Sequence, residues 1–319
     1  MKFGLSTTTQ RVFSTADNYR AVAVAAERAG FDFLSVSDHL VIPANRESHY
    51  PYVVGGAFGD GRHGHCLDQL STMAFLAACT SHLKLLASVL VIPHRPAMLT
   101  AKMLATIDVL SKGRLVIGAG AGWMKEEFEL LGANFQERGK LTDEYLAAFI
   151  ELWTKERPEF SGQHVRFKDV IFEPKPLQQP HPPLWIGGES SGAIRRAIRF
   201  GHAWYPGNNS QTRPLDTPER LAAGIKAVRE QCSAAGRDPS TLAVGLLVQD
   251  FFEWGDYRVA DGSARRMFTG TSADMLDDAE ALQRIGVGHV ALRLGGATVE
   301  ETVARIDRFG AEVIARHNG

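Results

Sequence analysis

Apolar positions along the chain follow two alternating rhythms. Short runs rich in Val, Ile, Leu and Phe occur at residues 2–6, 31–37, 85–91, 115–118, 184–187, 203–205, 242–248 and 289–294, and these predict eight strands. Between and after them, apolar residues recur at helical spacing in 15–29, 68–80, 97–110, 138–153, 190–200, 218–235, 272–285 and 299–316. Several of these segments end where glycine follows the last periodic residue, as at Ala29-Gly30 and Ile285-Gly286. Strand and helix alternating eight times is the pattern of an α/β fold, and the expected architecture is a (β/α)8 barrel, residues 1–319 forming one domain. The sixth strand is the shortest of the eight.

Three connections exceed ordinary turns: 40–67, 156–183 and 249–271, read as insertions after strands two, four and seven. The first and third follow strands directly, so both rise from the C-terminal face, where barrel enzymes build their sites. The middle one contains HVRFKDVIFEPKP, which alternates enough to predict a small hairpin.

Composition removes several function classes. A net charge of −1 without basic runs argues against nucleic acid or an anionic membrane as partner. No apolar run approaches the roughly 20 residues of a membrane span, and the start MKFGLSTTTQ has no signal core, so a cytoplasmic location is expected. Cys66, Cys79 and Cys232 are widely spaced and suggest neither a disulfide framework nor a metal site. His63-Gly64-His65-Cys66 carries ligand atoms at close spacing but no second cluster, so no metal is expected.

Candidate chemistry gathers at the predicted strand ends. Gly118, Gly120 and Gly122 invite a dinucleotide fingerprint, but Trp123 stands where its third glycine is needed, and the Rossmann reading fails. Gly187-Gly188-Glu189-Ser190-Ser191 follows strand five and opens a helix, whose free N–H groups suit a phosphate; Ser190 or Ser191 capping that helix is the alternative. Arg293 with Gly295-Gly296 after strand eight is a competing anion site, for a cofactor phosphate or a substrate anion. Trp254 and Phe251-Phe252 are candidates to line an apolar pocket, while the cationic run Arg195-Arg196-Ala197-Ile198-Arg199 reads as a solvated face or a support of the fold.

The stretches AERAGFDFLSVSDHL, LLASVLVIPHRPAMLTAKMLATIDVLSKGRLVIGAGAGWMKEEFELLG, NFQERGKLTDEYLAAFIELW, EPKPLQQPHPPLWIGGESSGAIRRAIRFGHAW and IGVGHVALRL, in that order, resemble the bacterial luciferase-like monooxygenase superfamily. Within it the chain is most similar to the branch dependent on the deazaflavin coenzyme F420. The resemblance implies a barrel holding F420 or FMN at its C-terminal face and carrying out hydride transfer or oxygenation on a small organic substrate. It implies a homodimer and, with FMN, a separate flavin reductase. Carried onto this sequence, it places Asp38 and His39 beside the ring as proton-handling residues, a role suited to a histidine with a near-neutral pKa. It places Ser88-Val89 at a third-strand bulge with a non-prolyl cis peptide against the ring. On this reading Gly120 and Gly122 are candidates for close approach of backbone to the cofactor, and Gly187, Gly188 and Ser190 for its phosphate loop, with Arg293 as the competing anion site. A barrel that keeps the scaffold only to bind flavin without catalysis is the rival reading.

Overall fold

The computed structural model describes residues 1–56, 65–251, 254–255, 257–259 and 261–318. Eight strands, β1 (Lys2–Thr8), β2 (Phe33–Ser37), β3 (Lys84–Val91), β4 (Leu115–Gly120), β5 (Leu184–Gly187), β6 (Ala203–Tyr205), β7 (Ala243–Phe251) and β8 (His289–Arg293), close into one parallel barrel. Each strand pairs with its sequence neighbours, and β8 returns to β1. Parallel strands covered on both faces need no polar side, which is why β4 is buried along its whole length.

The helices form the outer layer and begin at predictable caps. Thr15, Asp68, Ser190, Thr217, Thr271 and Thr298 each accept a backbone N–H in the first turn of α1 (Ala16–Arg28), α2 (Gln69–Cys79), α6 (Ser191–Phe200), α7 (Pro218–Ala234), α8 (Ser272–Arg284) and α9 (Val299–Phe309). The helix α3 (Ala97–Leu110) follows β3, while β4 is followed by a short helix α4 (Lys125–Leu130) and then α5 (Arg138–Thr154). The short α4, opened by the glycine loop, lies outside the eight segments of helical spacing. The predicted final helix runs without a gap but carries a π turn, Gly310–Ile314, after α9, where Gly310 passes so close to α1's end that a Cβ would lie 2.6 Å from the Ala29 carbonyl. The hairpin between α5 and β5 pairs Phe160–Ser161 with Arg166–Phe167, so its first strand lies upstream of the expected segment. Because it follows α5, it enters β5 at the N-terminal end of the barrel, away from the mouth.

Inside the barrel the side chains lie in layers. Phe33, Leu86, Val116, Trp185, Ala203, Tyr205 and Ala291 form an apolar plug, with the Phe33 and Trp185 rings 5.7 Å apart edge to face. Strand alternation puts the residue two positions on at the same inward face. Above Phe33, Leu86, Val116, Trp185 and Ala291 therefore come Ser35, Ser88, Gly118, Gly187 and Arg293. The interior thus changes from apolar to polar and glycine-rich toward the C-terminal mouth.

Candidate active site

Three strand ends, β2, β3 and β4, bring a histidine–carboxylate cluster together at this mouth. His39 follows β2, and its Nδ1 lies 2.7 Å from Glu127 Oε2 of α4. The other oxygen, Oε1, accepts the backbone N–H groups of Leu40 at 2.7 Å and Val41 at 3.2 Å. Glu127 is 1% exposed and His39 15%. Burial alone would raise the Glu127 pKa, but the hydrogen bond from His39, the neighbouring histidines and the Val41 amide outweigh it and hold the carboxyl below its ordinary range. An ionised Glu127 only accepts, so Nδ1 of His39 carries the proton. Beneath them His94, in the turn after β3, lies 4.0 Å from Glu127 and packs on Phe128, ring centroids 4.6 Å apart. Burial pushes its pKa down to about 4, so it is neutral.

Asp38 is turned away from this pair. Its Oδ2 accepts from the Gln69 backbone N–H at 2.9 Å and from Arg95 Nη2 at 2.8 Å, and Arg95 also reaches Asp68 at 2.5 Å. The Asp38 side chain is 5% exposed. Its geometry is that of a carboxylate clamping β2 to α2 and to the turn after β3, and this differs from the proton-handling role expected beside His39. Neither Glu127 nor Arg95 was singled out from the sequence.

A cis peptide joins Ser88 and Val89, and the β3–β4 register shifts between Ala87 and Leu90. The bulge thrusts Val89 between two glycines: a Cβ on Gly120 would stand 2.5 Å from Val89 Cγ2, and one on Gly187 2.8 Å from Val89 Cγ1. Gly120 was expected to let backbone approach a cofactor and Gly187 to open its phosphate loop. Their absent side chains instead make room for Val89, which becomes the apolar surface offered there. Ser88 Oγ meets the Tyr205 hydroxyl at 3.1 Å on the inner wall. Gly122 has φ +82° and turns the chain toward α4 against Phe128, and Trp123 stands edge-on to His39 at 6.0 Å.

On the β5 side Gly188 has φ +102° and its carbonyl accepts from Trp204 Nε1 at 3.0 Å. Ser190 caps α6 through the Ala193 N–H at 3.2 Å, so its hydroxyl is engaged within the protein. Glu189, missed by sequence reasoning, is buried; its Oε1 accepts the Gly207 N–H at 2.7 Å and its Oε2 the Tyr52 hydroxyl at 3.3 Å. Burial raises its pKa.

Tyr52 belongs to the long connection after β2, which arches over the mouth. Glu126 Oε1 holds it through the Glu47 and Ser48 N–H groups at 2.7 and 2.9 Å, and the Tyr50 hydroxyl donates to Gln249 Oε1 of β7 at 2.9 Å. The Tyr50 ring lies 5.6 Å from Tyr52 and 5.1 Å from Trp123. Cys66, at the far end of this connection, accepts the His39 N–H at 3.1 Å and contacts Thr9 Oγ1 at 2.9 Å. His63, Gly64 and Phe252 lie outside the described residues. Among the described residues no group of three or more His, Cys, Asp or Glu is arranged to hold a metal ion.

Comparison with known proteins agrees with this architecture. An FMNH2-dependent dimethylsulfone monooxygenase of Pseudomonas putida is 32% identical over 231 residues, 71% of this chain and 56% of that protein. A pyrimidine monooxygenase of Allorhizobium ampelinum is 28% identical over 265 residues, 80% of this chain and 67% of the relative. Among solved structures, the coenzyme F420-dependent tetrahydromethanopterin reductase of Methanopyrus kandleri superimposes with a TM-score of 0.73 at 16% identity, over 99% of each chain. An F420-dependent secondary alcohol dehydrogenase gives 0.74 at 18% identity, over 98% of each. At these identities the structural likeness is one of fold. A family model for luciferase-like monooxygenases matches residues 1–284, and the chain belongs to that family.

Proposed function

We propose that the mouth of this barrel holds a flavin-type cofactor, FMN or F420, and that the protein acts as an oxidoreductase on a small organic substrate with His39 as its proton-handling residue. The observation that carries this reading is the buried Glu127 fixing the His39 tautomer at the C-terminal face, where barrel chemistry is performed. The glycine-flanked Val89 surface fits a flat apolar ring, with Ser88 beside it. Gly188 and the N-terminus of α6 offer the phosphate side of the site, through backbone rather than through Ser190. The cofactor, once bound, supplies the redox step, as hydride transfer with F420 or oxygen activation with reduced FMN. The protein's part is to orient the ring, exclude water beneath the arching connection and pass a proton through His39 to the reacting substrate. Asp38 supports this from behind by fixing the start of that connection.

The relative at 32% identity is named for FMNH2 and supports FMN; the resemblance read from the sequence supports F420. With FMN, a separate reductase supplies the reduced cofactor. A homodimer accords with Met98, Leu99 and Leu110 exposed on α3. A cytoplasmic setting accords with the fact that no helix among the described residues is long and apolar enough to cross a membrane.

Titrating the protein with FMN and with F420 in one buffer, by fluorescence quenching, tests the reading. Saturable binding of either, with turnover depressed in His39→Ala, is expected. Binding of neither overturns it, and binding without turnover on a broad substrate panel favours the non-catalytic barrel.

A further inference from the structure

We propose that Arg293 is the substrate's anchor and that the substrate class is a small organic acid whose carboxylate it binds across the mouth from the cofactor. This inference deepens the functional reading above and rests on it.

Alternation along β8 fixes the side chain's direction. His289 packs against Phe33 and Trp185, and Ala291 belongs to the interior plug, so Arg293, two positions further, also faces inward at the mouth. Its Nη1 donates to the Gln249 carbonyl at 3.2 Å. Its Nε is buried and finds no acceptor, and among the described residues no carboxylate lies within ion-pair distance of the guanidinium. Among the described residues its neighbours include the Tyr50 and Tyr205 hydroxyls and Gln249, none of which carries negative charge at neutral pH. A guanidinium stays protonated at any physiological pH, and burying one of its donors without an acceptor is unfavourable. Its planar fork matches the two oxygens of a carboxylate.

Position separates this site from the cofactor's. Around the closed barrel β8 stands four strands from β4 in either direction, so Arg293 faces the Val89, Gly120 and Gly187 surface from the opposite wall. A ligand between them lies under Tyr50, Tyr52 and Trp123, whose rings favour a flat or apolar body behind the charged group. The Gly188 side of the mouth is where a cofactor phosphate belongs, three strands from Arg293.

The test uses two arms on the full chain: affinities for FMN and F420 by fluorescence quenching, then, on the cofactor-loaded protein, benzoate and acetate against the neutral benzamide and acetamide, read by bound-cofactor fluorescence and Tm. Wild type should bind at least one carboxylate tenfold or more better than its amide. Arg293→Gln should lose that preference while cofactor affinity changes less than threefold, and Arg293→Lys, which keeps the charge, should retain part of it. Equal binding of acids and amides by wild type overturns the proposal, as does an Arg293→Gln protein that loses cofactor affinity, since the arginine then serves the cofactor's own anion. Failure of wild type to bind either cofactor instead strikes the functional reading itself.

Discussion

His39 Nδ1 stands 2.7 Å from Glu127 Oε2, and the same carboxylate holds the first two N–H groups of the connection that covers the mouth. One buried charge thus sets the tautomer of the candidate acid–base residue and the position of the cover above it. Glu127→Gln keeps the shape but not the charge. It should lower turnover by roughly 10- to 100-fold, less than the roughly 100- to 10,000-fold ascribed to a positioned acid or base, because His39 itself remains. Cofactor affinity, measured in parallel, should move far less. Wild-type turnover in Glu127→Gln would remove the dyad from the mechanism.

Val89 offers a separate test, because two glycines are shaped around it. Gly120→Ala places a methyl 2.5 Å from Val89 Cγ2. Overpacking of this kind destabilises by about 1–3 kcal/mol. Val89→Ala should relieve it, so the double variant Gly120→Ala with Val89→Ala should be more stable than the sum of the single effects predicts, as urea denaturation would show. Additive behaviour would mean that Gly120 is required for another reason.

Asp38 and Arg95 form a buried ion pair, and removing Arg95 leaves the Asp38 charge without its counter-ion. Arg95→Leu should therefore destabilise the protein by about 3–5 kcal/mol. Asp38→Asn keeps a hydrogen-bonding side chain and should lower Tm while reducing turnover far less than His39→Ala. A turnover loss in Asp38→Asn equal to that of His39→Ala would restore Asp38 to proton handling.

The barrel was legible because its strands are continuous apolar runs and its helices carry caps, both local properties of the chain. Glu127 left a trace: Met124, Glu127 and Phe128 all lie on the buried face of α4, so a carboxylate occupied an apolar stripe. Its partner, 88 positions away, is brought to it only by barrel closure. The Asp38–Arg95 pair was hidden for the same reason, since Arg95 reaches Asp38 across two strand ends. Gly120 announced a close approach, and Val89, displaced by the bulge, makes one there and at Gly187 from within the chain.

Acid should destabilise this protein over a defined window. Burial depresses His94 and His289 from their ordinary 6.5 to about 4, so each stays neutral in the fold where the unfolded chain takes up a proton. Between about pH 6.5 and pH 4 the unfolded state binds more protons, and stability falls as pH falls; above 6.5 both states are neutral and the contribution is complete. Each histidine accounts for up to about 3 kcal/mol across that span. Glu127, held below its ordinary range, adds a loss of the same sign once pH drops beneath the usual carboxylate pKa. The Tm measured against pH should be flat near neutrality and decline below about 6.5. The His289→Phe variant, which removes the titrating ring beside Phe33 and Trp185, should flatten the upper part of that decline. A Tm that stays level down to pH 4 would mean that these histidines are protonated within the fold, and His94 would not be a neutral neighbour of Glu127.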